Sequence, residues 1–368
     1  MAGILEHSPR FDYSGGASCP SLLLEPSRTN IVPISEGIPE DTIQVTLTEN
    51  YGTSPEGVQN SLKVQKNGVS ASDRIFPIDN YNATLVSGTS YSVSAFVKNI
   101  DVDGITTIGC RLGSGGTLFR LGYQWSGSSL TKATEYSAGT RTNEILEDYG
   151  NRWWRIGFSF EADNTQGGIE LDIDRDNGSA TTSIETYGWQ LEEGSYPTSY
   201  IPNHSGGSVT REAEENTTAN ISSVIGQQEG TFFLDFEFLD GATAENQNWI
   251  ALESEDGQSR VLFYKSASSN NLRLLNSQDG STFFNKSSLI AISPNTRYKV
   301  AVRYSSGDQG VAVNGSMSGN NGTSTYTRTS LLSRVKFNES NIQPSCRVHQ
   351  AIVFESGLTD SELETLTS

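Results

Sequence analysis

The chain has 368 residues, of which 35% are hydrophobic, 9% aromatic and 18% charged, a length that suits two domains better than a single core. Asp and Glu number 43 against 25 Lys and Arg, giving a net charge of −18, and no long basic run is present. This balance argues against nucleic-acid binding, which depends on clustered cations, and no apolar run is long enough for membrane insertion.

Three cysteines, Cys19, Cys110 and Cys346, are widely spaced and form no CxxC pair. This spacing gives no support to a zinc site or a redox motif. A chain of this size without paired cysteines is typical of folding in a reducing cytoplasm. The first residues, MAGILEHSPRFDY, have neither the basic segment nor the apolar core of a signal peptide, which favours the same compartment.

Residues 1–34 mix Pro and Gly with one apolar triplet and show no sustained period. We predict an extended N-terminal arm that lies along a domain surface or a neighbouring subunit.

Residues 35–202 show repeated strand alternation. In WWRIGFSFEA, the side chains of Trp154, Ile156, Phe158 and Phe160 share one face, which we assign to the core. Asn-Gly turns and similar alternating segments separate further strands. The pattern predicts an antiparallel β-sandwich resembling a jelly roll.

Residues 203–220 follow a segment stiffened by Pro197 and Pro202 and include the pair Gly206-Gly207. Proline restricts the preceding residue to extended geometry, and glycine releases the chain. We predict a linker between two domains here.

Residues 221–368 repeat the strand pattern, most clearly in GTFFLDFEFLDG, which places Phe232, Leu234, Phe236 and Phe238 inward. The tail GLTDSELETLTS changes period. Thr359 followed by Glu362 predicts a capping box, with Leu363 and Leu366 docking a short C-terminal helix. The predicted fold class is therefore all-β: two tandem antiparallel β-sandwiches, an N-terminal arm and a C-terminal helix.

One acidic strand resembles a catalytic motif. Asp235 and Glu237 project from the same face of a strand, and Asp240 follows, as paired glycosidase carboxylates require. The acid types are interchanged relative to the E-x-D-x-x-E strand of concanavalin A-like glucanases, which would retract both outer carboxylates. We interpret this segment as an outward strand face beside an acidic turn, with no catalytic residue assigned.

A second acidic segment contains Asp172, Asp174 and Asp176, followed by Asn177 and Gly178. Such oxygen-rich spacing is compatible with calcium, but Gly178 stands one position later than in an EF-hand loop, and Ser183 replaces the final Glu. Strand alternation explains Asp172 and Asp174 without a metal. We keep these three aspartates as a calcium hypothesis beside that simpler interpretation, and expect no other cofactor.

Three stretches resemble a family of bacteriophage and prophage virion proteins described as tail-fibre or receptor-binding components. They are PRFDYSGGASCPSLLLEPSRTN near the start, LEDYGNRWWRIGFSF with GWQLEEGSYPTSYIPN and VTREAE in the middle, and the C-terminal half with NTRYKVAVRYSSGDQGVAVNG. The resemblance implies a first domain like a carbohydrate-binding module, a second like a concanavalin A/laminin G domain, and a location on the virion.

From that resemblance we expect a non-enzymatic tail fibre or surface adhesin that binds host-surface polysaccharide. Its other partners would be virion proteins and copies of itself, a trimer being the family-based expectation. The alternatives are a capsid-decorating or tail-assembly protein without a glycan ligand, and a polysaccharide-degrading enzyme using Asp235 and Asp240.

Exposed aromatic rings stack on the C–H faces of sugars, which makes tryptophans the candidate carbohydrate-binding residues. Trp153 is a candidate because Trp154 takes the core position, Trp125 because it lies near Gly/Ser loops, and Trp249 because it follows polar amides. Packing inside the cores is the alternative for each, since large aromatic side chains are usually buried.

Overall fold

A computed structural model describes residues 10–12, 20–68, 73–113, 116–178, 181–214, 216–239, 247–266, 269–319, 321–337 and 345–368. Two compact units are present, and the division falls between Arg211 and Glu212. The first unit begins at Arg28, and the second combines Glu212–Ser368 with strands from the first 27 residues.

The strands of the described residues are numbered in chain order. The N-terminal strands are β1 (Arg10–Asp12), β2 (Ser21–Leu24) and β3 (Arg28–Asn30). The next strands are β4 (Asp41–Ile43), β5 (Val45–Thr48), β6 (Leu62–Lys66), β7 (Arg74–Thr84), β8 (Ser90–Asn99), β9 (Ile105–Leu112), β10 (Leu118–Ser126), β11 (Ser129–Ala138), β12 (Thr142–Asp148), β13 (Trp153–Glu161), β14 (Gln166–Asp172), β15 (Ser183–Glu193) and β16 (Val209–Arg211).

The remaining elements belong to the C-terminal part of the chain. They are β17 (Asn216–Thr218), a 3-10 helix (Ser222–Val224), β18 (Thr231–Phe238), β19 (Gln247–Ser254), β20 (Ser259–Lys265), β21 (Asn271–Gln278), β22 (Ser281–Ala291), β23 (Thr296–Ser305), β24 (Asp308–Val313), β25 (Ser316–Met317), β26 (Leu332–Phe337), β27 (Cys346–Phe354) and α1 (Asp360–Thr367).

The first unit is a sandwich of two six-stranded antiparallel sheets, with a small β16-β3 pair beside them. The β14 sheet has the order β11-β10-β9-β14-β7-β4, and the β8 sheet has the order β12-β13-β8-β15-β6-β5. Their inner faces meet in one core, to which Ile108 and Ile169 contribute from the β14 sheet and Val93 and Phe158 from the β8 sheet. Alternating apolar residues build this core because successive side chains of a strand point to opposite faces.

The second unit is also a sandwich, formed by the β18 sheet (β1-β2-β27-β18-β23-β24-β25) and the β20 sheet (β17-β26-β19-β20-β21-β22). The predicted inward residues of β18, including Phe232 and Phe236, are fully buried in its core. Helix α1 covers part of the outer face of the β18 sheet, where Leu363 packs against Phe233. The predicted capping box of Thr359 is present.

The predicted all-β fold class with a short C-terminal helix is thus confirmed. Part of the segment predicted as an arm pairs within a sheet: β2 lies against β27, with Leu22 opposite Val348. Strand β3 pairs instead with β16 of the first unit. Within the described residues, no helix combines the length and the apolar character that crossing a membrane requires.

The side chains of Cys110 and Cys346 are buried in the cores of different units. Cys19 lies outside the described residues.

Candidate functional site

The outer face of the β8 sheet carries a row of charged and aromatic side chains across four neighbouring strands. Lys63 of β6 lies opposite Glu185 of β15, Glu185 opposite Lys98 of β8, and Lys98 opposite Trp153 of β13. The Lys98 Nζ is 2.8 Å from Glu185 Oε1 and 5.5 Å from the centre of the Trp153 ring. Because neighbouring strands lie about 4.8 Å apart, the row spans about 14 Å.

A second row beside the first is mainly aromatic. Tyr187 of β15 lies opposite Phe96 of β8, and Phe96 lies opposite Arg155 of β13. Phe96, Trp153 and Tyr187 form one buried cluster, against which Tyr200 packs. These four residues define the aromatic face of the first unit.

The chain itself covers the far end of this outer face with residues 195–203, here called the strap. Glu192 is fully buried and its carboxylate accepts hydrogen bonds from the Thr198 N–H and hydroxyl, at 2.6 and 2.7 Å. The side-chain amide oxygen of Gln190 accepts from the Ile201 N–H at 2.7 Å, and Arg155 donates to the backbone carbonyl of Thr198. The proline-rich stretch after β15 therefore covers this end of the outer face, and its Tyr200 packs on the rings of Phe96 and Tyr187.

Two exposed tyrosines flank the aromatic face. Tyr149, in the β12–β13 turn, is 50% exposed and meets Phe96 edge-on with ring centres 4.9 Å apart. Tyr51, between β5 and β6, is 44% exposed and lies under Lys63, whose Nζ is 5.3 Å from the ring centre. Only two other aromatic side chains of the described residues, Phe11 and Tyr136, have comparable exposure.

The edge of the aromatic face near Tyr200 is lined by the carboxylate of Glu36 and the amide of Asn60. Glu36 accepts a hydrogen bond from the Tyr200 hydroxyl at 2.8 Å and from the Asn60 Nδ2 at 3.1 Å. His204 is exposed, and its Nε2 lies 3.4 Å from Glu36 Oε2. Burial, reinforced by the charge of Glu36, raises the pKa of the Tyr200 hydroxyl, which therefore stays protonated as a donor.

The Tyr187 hydroxyl is buried and makes no hydrogen bond of ordinary length. Burial raises its pKa, and the nearby Tyr200, Glu36 and Glu56 raise it further. The carboxylates of Glu36 and Glu56 lie within reach of the hydroxyl, which is enclosed beneath the surface of the aromatic face.

Three tyrosines on or beside this face, Tyr51, Tyr149 and Tyr187, are each followed by a glycine. The three glycines have different roles. Gly188 has φ +64° inside β15, and a Cβ there would lie 2.9 Å from the Phe96 ring. A Cβ on Gly52 would lie 2.2 Å from Glu185 Oε2. Gly150 has φ +74° with open space around it, as the tight β12–β13 turn requires.

The three tryptophans named from the sequence lie inside the fold. Trp125, Trp153 and Trp249 are 1%, 2% and 0% exposed, and their Nε1 atoms donate to Thr106 Oγ1, the Thr53 carbonyl and Cys346 Sγ. The expectation that Trp153 is exposed is wrong. It does point away from the core, but the outer face at that position is itself covered by neighbouring aromatic side chains.

The three aspartates of the calcium hypothesis have separate partners. Asp172 pairs with Arg74 and Arg175, each at 2.8 Å. Asp174 accepts from the Thr182 hydroxyl at 2.7 Å, and Asp176 from the Ile105 N–H at 2.8 Å. Within the described ranges, no group of three or more His, Cys, Asp or Glu side chains is arranged to hold a metal ion.

The acidic strand β18 is neutralised by arginines. Arg297 forms a two-pronged pair with Asp235, at 2.6 and 2.7 Å, and Arg347 Nη1 lies 2.6 Å from Glu237 Oε1. Asp240 lies outside the described residues.

The sequence contains one further signal for this face, which is not among the motifs described above. The dipeptide Tyr-Gly occurs three times, at Tyr51, Tyr149 and Tyr187, and all three tyrosines border the same outer face. An aromatic residue beside a turn glycine is placed where a loop ends, which is where binding residues often lie.

No protein-family model and no curated protein matches this chain. Among solved structures, a heptameric SAP-like pentraxin from Limulus polyphemus is 19% identical, covering 39% of this chain and 72% of its own, with a TM-score of 0.32. The CBM40 of Ruminococcus gnavus IT-sialidase, bound to α2,3-sialyllactose, is 14% identical over 43% of this chain and 96% of its own, with a TM-score of 0.33.

A chain of botulinum neurotoxin type C, from a study of its interaction with two ganglioside molecules, is 12% identical and has a TM-score of 0.35. It covers 42% of this chain and 40% of its own. Likeness at these scores says nothing about the ligand of this chain.

Proposed function

We propose that this protein is a non-enzymatic, glycan-binding component of a bacteriophage virion, acting as a tail fibre or surface adhesin through the aromatic face of its first unit. The virion assignment rests on the sequence resemblance described above. The glycan assignment rests on the geometry of the aromatic face, which is independent of that resemblance.

The observation that carries the proposal is the pair of exposed tyrosines beside an ordered polar row. Sugar rings present C–H faces that stack on aromatic rings, and hydroxyls that need donors and acceptors. Tyr51 and Tyr149 supply ring faces, whereas Lys98, Glu36 and Asn60 supply polar atoms already fixed by hydrogen bonds or ion pairs. A row about 14 Å long suits an oligosaccharide rather than a single sugar.

We propose no glycosidase activity for this protein. A glycosidase needs one carboxylic acid kept protonated and a second carboxylate facing it across the scissile bond. Asp235 and Glu237 are each paired with an arginine, which occupies their carboxylate oxygens.

An open face of this kind binds one glycan weakly, because few groups are fully desolvated on binding. Repetition in a symmetric oligomer raises the overall affinity without new contacts. We therefore propose a homo-oligomer, with a trimer as the arrangement that the resemblance favours.

The test uses a glycan array followed by calorimetry on the strongest binder. We expect Tyr149→Ala and Tyr51→Ala each to weaken binding by about 3- to 10-fold, the value of one aromatic contact. Tyr136→Ala is the matched control, since Tyr136 is similarly exposed on β11 of the other sheet.

Two results would count against the proposal. In one, the wild-type protein binds no glycan, or the Tyr136 variant is affected as strongly as the other two. In the other, electron microscopy of the particle shows Tyr51 and Tyr149 buried against neighbouring virion proteins, as the decoration alternative requires.

A further inference from the structure

The strands of the β20 sheet in the second unit carry an excess of positive charge, although the chain as a whole has a net charge of −18. Their only acidic residue is Glu253, whereas Lys or Arg occurs at Arg260, Lys265, Arg273, Lys286, Arg334 and Lys336. The strands of the β18 sheet are nearly balanced, with Arg10, Arg297, Lys299, Arg303 and Arg347 against Asp12, Asp235, Glu237 and Asp308. The excess of cations is therefore confined to one sheet of this unit.

Most of these cations lie on the outer side of the β20 sheet. In β20, Val261 and Phe263 belong to the core, so Arg260 and Tyr264 face outward, because successive side chains of a strand alternate. Cross-strand pairing brings further cations to the same side, since residues directly opposite each other share a face. The partly exposed cations on this side are here called the basic face: Arg260, Arg273, Arg334 and Lys336.

The carboxylate within the basic face is already used by the fold. Glu253 is 0% exposed and lies opposite both Arg260 and Arg334 in the sheet. Arg334 Nε and Nη2 are 2.8 and 2.6 Å from Glu253 Oε1. Glu255 and Asp256 lie in the β19–β20 turn, at the end of the sheet farthest from Arg273. The basic face therefore keeps a surplus of positive charge.

The shape of the basic face suits an extended ligand. Ala251 and Leu262, each 2% exposed, form a flat floor between Lys336 and the strand of Arg273. Lys336 and Arg273 lie three strands apart, which is about 14 Å across the sheet. Arg273 also lies near the ring of Tyr264, with Cζ 5.9 Å from its centre. A small anion cannot contact both ends of this face, whereas a charged polymer can.

We propose that the basic face binds an anionic polysaccharide, whose carboxylate or sulfate groups pair with Arg273, Lys336 and Arg260 while a sugar ring contacts Tyr264. The sign of the ligand's charge follows from the face itself, and the choice of a polysaccharide rests on the adhesin function proposed above. The acidity of the rest of the chain does not prevent this, because charges farther away than about 8 Å are screened at physiological salt.

The test uses the full chain and two matched pairs of polymers. They are polygalacturonate with its neutral methyl ester, and dextran sulfate with neutral dextran. We expect the wild-type protein to bind at least one charged polymer and neither neutral one. The affinity should fall about tenfold between about 50 mM and about 200 mM NaCl, since binding releases counterions from the polymer. Binding of polygalacturonate alone indicates carboxylates as the ligand groups, and binding of dextran sulfate alone indicates sulfates.

A double variant locates the site. Arg273→Gln with Lys336→Gln should weaken binding about tenfold, because each change removes one charge that pairs with the polymer. Arg260 and Arg334 are kept, since they flank the buried Glu253. If the double variant does not fold, Lys336→Gln alone should weaken binding about threefold.

The matched control is Lys132→Gln with Lys299→Gln, which changes the net charge equally but lies on β11 and β23 of other sheets. It should bind within about twofold of the wild-type protein. Tyr149→Ala should also leave this binding unchanged, so a failure of the aromatic face to bind neutral glycans is separable from a failure of the basic face.

The proposal is overturned if neither charged polymer binds, if a neutral counterpart binds equally well, or if the control double variant is weakened as much as the first. It is also overturned if Tyr149→Ala weakens binding to the same extent, which would move the site to the aromatic face. Equally tight binding of polyglutamate would assign the basic face to an acidic protein partner instead.

Discussion

The two sheets of the first unit both carry polar residues on their outer faces, but the surroundings of these residues differ between the sheets. On the β14 sheet, Glu170 and Asp172 are buried and surrounded by Arg74, Arg120 and Arg175. On the β8 sheet, the aromatic rings of Phe96, Trp153 and Tyr187 are buried, and the exposed rings of Tyr51 and Tyr149 flank them. A face whose charges are paired within the sheet stabilises the fold, whereas exposed aromatic rings remain available to a ligand.

The outer face of the β14 sheet is here called the charged face. Its carboxylates are enclosed by a glycine and by arginines on nearby strands. Gly109 lies opposite Glu170 in the sheet, and a Cβ on it would come 3.1 Å from the Glu170 Cγ. The carboxylate of Glu170 is 2.7 Å from Arg74 Nη1 and also pairs with Arg120. No comparable set of opposite charges surrounds Tyr187 among the described residues.

The largest effect should follow from breaking the charged face. We expect Glu170→Gln to lower the free energy of unfolding by about 3 kcal/mol, because it leaves Arg74 and Arg120 buried with one carboxylate fewer. Urea unfolding at neutral pH measures this. Glu161→Gln, an exposed change on β13, is the control and should stay within about 0.5 kcal/mol of the wild-type value.

The pH dependence of the stability difference between the wild-type protein and Glu170→Gln tests whether the loss is electrostatic. Burial alone would raise the pKa of Glu170, but Arg120, Arg74 and Arg111 hold it below its ordinary value of 4.5. Its stabilising contribution is therefore present above pH 4.5 and is lost as the pH falls through the lowered pKa. The difference between wild type and Glu170→Gln should shrink on acidification, and a constant difference would contradict an electrostatic origin.

A smaller effect should follow from crowding the aromatic face. We expect Gly188→Ala to cost about 1–3 kcal/mol, since it combines a left-handed backbone with a contact 2.9 Å from Phe96. Gly150→Ala shares the positive φ but meets nothing within 4 Å. Urea unfolding measures how much more Gly188→Ala lowers the free energy of unfolding than Gly150→Ala does. We attribute this difference to the packing of the aromatic face. Equal costs would mean that this face is loosely packed.

Strand alternation was sufficient to predict which residues fill the cores. Ile156, Phe158 and Phe160 are all buried in the first core as expected, and Trp154 packs against it. The period-two pattern tells which side of a strand a residue takes, but it does not tell whether the outer side is covered. Trp153 and Asp235 point outward, as predicted, and both are buried, as is Glu170 on the outer face of the β14 sheet.

The candidate site was beyond sequence reasoning because its parts come from distant segments. Arg155 and Thr198 are 43 residues apart, yet their hydrogen bond fixes the strap over the β8 sheet. Phe96 brings together Tyr149, Tyr187 and Tyr200 from different loops and strands. Register and loop course, which no single sequence pattern specifies, place these rings on one face.

The smallest change in stability should come from Tyr187→Phe, which removes one oxygen from the aromatic face. The Tyr187 hydroxyl makes no hydrogen bond of ordinary geometry, although Glu36 and Glu56 lie close to it, so its removal should change the free energy of unfolding by less than about 1 kcal/mol.

The control for this change is Tyr123→Phe in the first core. The Tyr123 hydroxyl donates to the Ile145 carbonyl at 2.9 Å and accepts from the Gly157 N–H at 3.0 Å. Removing it leaves buried backbone groups unpaired and should cost about 1–3 kcal/mol. If Tyr187→Phe costs as much as Tyr123→Phe, the Tyr187 hydroxyl serves the fold, and the contrast between a closed and an open outer face would not hold.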